Sequence, residues 1–95
     1  MFARVQTIHE PADRLDEMTE IARRQLPAAR KLPGFKGFCY LIDRDNAKAL
    51  VLSLWETEED LRALEANTAE RERIAAEAGT VSPPSEIFEV ALQAS

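Results

Sequence analysis

Residues 35–59, FKGFCYLIDRDNAKALVLSLWETEE, constrain this chain more than any other stretch. Two apolar runs, 35–42 and 47–55, flank the polar turn Asp43-Arg44-Asp45-Asn46, whose Asp and Asn side chains can close local hydrogen bonds. That pattern predicts a β-hairpin. Thr57 then offers an N-cap hydroxyl, and Glu58, Glu59 and Asp60 place negative charge in the first turn of a helix whose apolar periodicity begins at Leu61. The second hairpin strand therefore runs straight into a helix.

The flanking segments follow the same logic. Residues 1–9 alternate Phe2, Arg4, Gln6 and Ile8 with Ala3, Val5, Thr7 and His9, a strand with apolar residues on both faces. Glu10-Pro11 opens a helix on which Leu15, Met18, Ala22 and Leu26 recur at helical spacing. Pro27 has no N–H to give the carbonyl of Arg23, so an end near Gln25 or a kink is expected, with a further turn up to Lys31 and a stop at Pro33-Gly34. In the second helix Leu61 and Leu64 are the first core contacts, Asn67 and Glu70 repeat the capping-box spacing of a break and restart, and Gly79 is the expected C-cap. An extended connector at 81–85 leads to a final strand at 86–92.

The order β-α-β-β-α-β predicts an α+β, ferredoxin-like sandwich: a four-stranded antiparallel sheet with both helices on one face. Its other face lacks a cover. Phe35, Phe38, Tyr40, Ile42, Leu50, Val51, Leu52, Leu54, Phe88 and Val90 are too many large apolar residues, on both parities, for that face to meet water. With 95 residues the chain fits one domain, 1–95, and such a domain buries only about two-thirds of its unfolded surface. A homodimer through the sheet faces is the expected remedy.

Charge and composition exclude several functions. Twelve basic against seventeen acidic residues give a net charge of −5, unsuited to nucleic acid or to an anionic membrane surface. One cysteine and one histidine leave no intramolecular disulfide and no zinc spacing, so no structural metal is expected. There is no leader-like segment and no apolar run near the ~18 residues of a membrane span, which makes the cytoplasm the expected location.

Pro33-Gly34-Phe35 entering a strand, the short acidic hairpin, and LSLWETEEDL at residues 52–61 resemble the dimeric α/β-barrel proteins of the antibiotic biosynthesis monooxygenase type. The resemblance spans essentially the whole chain. It implies a dimeric α/β barrel and, in the oxygenase branch, cofactor-independent oxidation of small aromatic or quinol-type compounds with Asn, Trp, Tyr and Arg side chains in a pocket beside the sheet. Trp55 is the residue it carries over. In the haem-degrading branch an Asn on the first strand, a second Trp and a downstream His are usual, whereas this chain has Gln6 near the first position and Leu64 and Ile74 near the others.

The candidate pocket residues are Arg4, Gln6, Tyr40 and Trp55. Arg4 and Gln6 share a parity with Phe2 and Ile8 on a central strand, where buried polar groups need partners. Either they are structural, with Arg4 paired to a carboxylate such as Glu89 or bonded across a dimer, or they bind an anionic or quinone-like ligand. Tyr40 can position a phenol or simply pack, and Trp55 can line a cleft or close the core rim. His9 at a strand end, Cys39 in an apolar strand and the alternating charges of residues 70–73 read as structural or solvated groups. Two functions stay open: a monooxygenase-like oxidoreductase with no bound cofactor, or a non-catalytic module that binds a small ligand or a partner.

Overall fold

The computed structural model describes residues 1–67, 72, 73, 76 and 83–94. Its elements run β1 (Phe2–His9), α1 (Ala12–Ala29), β2 (Phe35–Asp43), β3 (Lys48–Trp55), α2 (Glu58–Ala66) and β4 (Ser85–Glu89). The strands form one four-stranded sheet in the order β2-β3-β1-β4, with every neighbouring pair antiparallel. This is the ferredoxin-like arrangement expected from the periodicity.

Strand pairing sorts the side chains into rows. Tyr40 lies opposite Val51, Val51 opposite Gln6, and Gln6 opposite Ser85. The next row is Phe38, Ser53, Arg4 and Ile87. Directly paired residues share a face, so Arg4, Gln6, Tyr40 and Trp55 all stand on one side of the sheet. It is the helix-covered side: Ala49, Ser53 and Trp55 of β3 are buried, and Arg4 reaches Glu65 of α2. The opposite face carries Val5, Thr7, Cys39, Leu41, Leu50, Leu52, Leu54 and Phe88. Leu41 and Phe88 there are each 49% exposed, so in the single chain this apolar face is open.

The helices close the other side with few residues. Leu15, Met18 and Ile21 of α1 and Leu61 of α2 are buried against the sheet. Thr57 caps α2 as its sequence requires, its hydroxyl oxygen accepting from the Asp60 amide at 3.1 Å. Of the two expectations for α1, an end near Gln25 or a further turn toward Lys31, the second holds, since the helix continues through Pro27 to Ala29. Pro27 falls in the last turn, where few further hydrogen bonds remain to be broken, and the Arg30 amide still reaches the Leu26 carbonyl at 2.9 Å.

Local irregularities set the geometry of the hairpin. Pairing shifts between Phe35 and Gly37, which face the adjacent residues Trp55 and Leu54. This bulge moves Phe35 onto the helix-facing side, against the parity it would share with Cys39 and Leu41. Its ring meets Trp55 edge-on, with centroids 5.7 Å apart. At the hairpin's other end Asp43 accepts from the Asn46 amide and side chain, as the turn composition predicts, while Ala47 takes a positive φ of 50° and β3 starts one residue later at Lys48. Strand β4 is shorter than expected, ending at Glu89. Glu70, Ile74 and Gly79, assigned a restart, a histidine-equivalent position and a C-cap, lie outside the described residues.

Candidate functional site

Burying a guanidinium under a helix requires a fixed counter-charge. Arg4 Nε donates to Glu65 Oε1 at 2.5 Å, and the two side chains are only 10% and 20% exposed. The same Glu65 oxygen accepts from the Ser85 hydroxyl at 2.6 Å. Arg4 Nη1 donates to Gln6 Oε1 at 3.2 Å, and Gln6 Nε2 donates to the Pro83 carbonyl at 2.9 Å. One polar chain thus ties β1 to α2, to β4 and to the segment that precedes it.

The carboxylate that holds Arg4 is therefore Glu65, and not Glu89. Glu89 pairs with Phe2, one row beyond the row of Arg4, and is exposed. A signal for Glu65 was present in the sequence. It lies four residues after Leu61, on the stripe α2 turns toward the sheet, where an acid has to find a partner.

Trp55 is 2% exposed, and its indole N–H donates to the Ser53 hydroxyl at 2.9 Å. Together with Phe35 it closes the end of the core nearest the start of α2. Its polar atom is already partnered, so its contribution to a binding surface is the face and edge of the ring.

Tyr40 differs from the other three. Its hydroxyl is buried on the helix-facing side and finds no hydrogen-bond partner among the described residues. Burial raises its pKa above the ordinary 10.0, the positive charge of Arg14 partly opposes that rise, and Glu10 adds to it. The phenol therefore stays protonated at neutral pH and retains a donor for a ligand oxygen. Tyr40 and Gln6 belong to one row with β3 between them, so their backbones stand on the order of 10 Å apart.

The remaining reactive side chains lie elsewhere. His9 ends β1 on the exposed rim and shares its parity with the open face, and Cys39 is exposed on that face. No cluster of three or more His, Cys, Asp or Glu suited to a metal ion occurs among the described residues. A shallow depression of about 200 Å³ lies at the hairpin end between Leu41, Ile42, Asp43, Lys48, Ala49 and Leu50. It begins one row beyond Tyr40 and does not include the polar chain.

No protein-family profile matches this sequence, and no curated protein matches it. Solved structures do. The haem degrader MhuD from Mycobacterium tuberculosis, solved with two haems bound in its active site, is 26% identical with a TM-score of 0.72, covering 100% of both chains. A Bordetella bronchiseptica protein bearing the name antibiotic biosynthesis monooxygenase superposes with a TM-score of 0.76 at 13% identity, over 96% of this chain and 97% of its own. SnoaB, a cofactor-independent oxygenase from Streptomyces nogalater, gives a TM-score of 0.67 at 17% identity, over 97% and 92%. The fold is that of the antibiotic biosynthesis monooxygenase type, as the P-G-F and W-E segments imply.

Proposed function

We propose that this chain is a small homodimeric, monooxygenase-like protein that takes a small aromatic or quinol-type compound on the helix-facing side of its sheet, without a bound cofactor. The observation that carries this reading is the buried hydroxyl of Tyr40, without a partner among the described residues, in the same row as Gln6 and one row from Arg4. A buried donor without an acceptor is costly unless a ligand supplies one. The fold it shares with SnoaB and MhuD, one described as an oxygenase and the other as a haem degrader, supports the same chemistry class.

Such a reaction balances without an external reductant. For an anthrone-type substrate, an activated ring CH2 loses two hydrogens, one oxygen atom of O2 becomes the new carbonyl and the other leaves as water. The electrons come from the substrate, so the protein's part is to orient the ring, exclude water and favour the oxygen-centred charge of the deprotonated form. In this reading the Tyr40 hydroxyl donates to that oxygen, while the Trp55–Phe35 pair, two rows away along the strands, closes the core. The open apolar face is the surface through which a second copy docks, and the setting is cytoplasmic.

A second reading has its own observation. Arg4, Gln6 and Trp55 each already hold a protein partner, which is what a binding module with a structural polar chain would show. Oxygen-electrode measurements on the full chain with a panel of anthrones and quinols separate the two. Uptake of one O2 per substrate without hydrogen peroxide, and with one oxygen atom in the product, supports the monooxygenase reading, and aromatic binding with no uptake across the panel supports the module.

A further inference from the structure

We propose that Glu65 sets the charge specificity of this surface: by neutralising Arg4 it makes the site select an uncharged aromatic compound bearing one oxygen and reject aromatic anions. The inference rests on the aromatic-ligand reading above and adds to it a specificity residue on α2.

Arg4, the one arginine carried by the strands of the sheet, would, unpaired, be the natural seat for a carboxylate or phenolate. Its Nε is instead spent on Glu65, its Nη1 on Gln6, and Glu65 is held in turn by Ser85. An incoming anion would meet a carboxylate beside the guanidinium, in a setting where both charges are largely removed from water and like charges repel strongly. A neutral ligand meets no such penalty. Tyr40, protonated and without a partner among the described residues, provides the donor its oxygen needs.

Glu65 is thus a positioning and specificity residue, not a catalytic one. Removing its charge in Glu65→Gln leaves Arg4 buried without a counter-ion, and an anionic ligand then supplies what the protein no longer does. Replacing both partners in Arg4→Leu/Glu65→Leu removes cation and anion together, so the preference for a neutral ligand returns.

The test compares 1-naphthol, 1-naphthoate and naphthalene by calorimetric titration at neutral pH with the full chain. Wild type is expected to bind 1-naphthol about tenfold more tightly than 1-naphthoate, Glu65→Gln to reverse that order, and the double variant to restore it. Tyr40→Phe is expected to weaken 1-naphthol about three- to tenfold and leave naphthalene unchanged. Wild type that binds the naphthoate as tightly as the naphthol overturns the inference, even if Glu65→Gln does not fold. So does a folded Glu65→Gln with the wild-type preference. Wild type that binds none of the three probes defeats the aromatic-ligand reading and the inference with it, whereas binding without discrimination defeats the inference alone.

Discussion

Arg4 of β1 and Glu65 of α2 form an ion pair that fastens the second helix to the centre of the sheet. Truncating one member of a buried pair leaves the other charge uncompensated, at a typical cost of about 3–5 kcal/mol, with the lower end fitting a pair that keeps some exposure. Arg4→Met should therefore lower the melting temperature clearly while the chain still folds. Thermal unfolding followed by circular dichroism checks this. If the same sample loses oxygen uptake tenfold or more without losing stability, Arg4 acts on substrate and not on the fold.

Gly34 illustrates a backbone constraint that a side chain cannot meet. Its φ is +78°, and a Cβ at this position would collide with the carboxylate of Asp60, whose amide the Thr57 cap holds. The Glu56 amide donates to the Gly34 carbonyl at 2.7 Å, so the loop is pinned against the start of α2. Gly34→Ala combines about 1–2 kcal/mol of left-handed strain with a steric clash. We expect a loss of at least about 2 kcal/mol in urea unfolding. An unchanged midpoint would mean that the close approach to Asp60 does not persist in solution.

The open sheet face predicts assembly. Leu52 stands there between Cys39 and Val5, so Leu52→Asp should leave the protomer folded but monomeric at micromolar concentration. Sedimentation equilibrium of wild type and variant decides it: a wild type that is already a stable monomer removes the dimer from the proposal.

The pH dependence has opposite signs at the two extremes. Tyr40 has its pKa raised in the fold, chiefly by burial, so its contribution is complete below the ordinary 10.0 and is lost as pH rises through the folded value. Because it is the one tyrosine, tyrosinate absorbance in the ultraviolet reads this group alone and should titrate late, together with unfolding. At the acid end Asp16 is lowered, first by its hydrogen bond with Arg44, so its contribution is present above the ordinary 3.8 and is lost as pH falls through the folded value. Arg44→Gln should make the acid limb of the stability profile shallower. A tyrosinate transition at the ordinary value would place the Tyr40 hydroxyl in water.

Haem is not expected to bind through histidine, despite the likeness to MhuD. The chain's one imidazole, His9, is at the exposed end of β1 on the parity of the open face, and the resemblance drawn from the sequence sets Leu64 near the position where a tryptophan is usual in the haem-degrading branch. Titration should give no stoichiometric, sharp Soret band and no bilin-type product with a reductant. Either signal would move the protein toward haem chemistry.

Periodicity in the sequence by itself determined the element order, the turn at Asp43–Asn46, the Thr57 cap and the excess of apolar residues over what one covered face can hold. Those features depend on residues close in the chain, where a side-chain period of two or of 3.6 and a cap hydroxyl act locally. Parity also placed Arg4 and Gln6 together on β1. Only the tertiary structure decided which face each parity meets, because pairing register, and in β2 a bulge that turns Phe35 toward Trp55, depends on residues distant in sequence. For the same reason the partner of Arg4 was Glu65 of α2, sixty-one residues away, and not Glu89 of the final strand, since both lie far from Arg4 in sequence and only the packing of α2 on the sheet chooses between them. The missing partner of Tyr40 likewise became visible only once β2 lay beneath the helices, since burial without a hydrogen bond is a property of packing and not of any short stretch of chain.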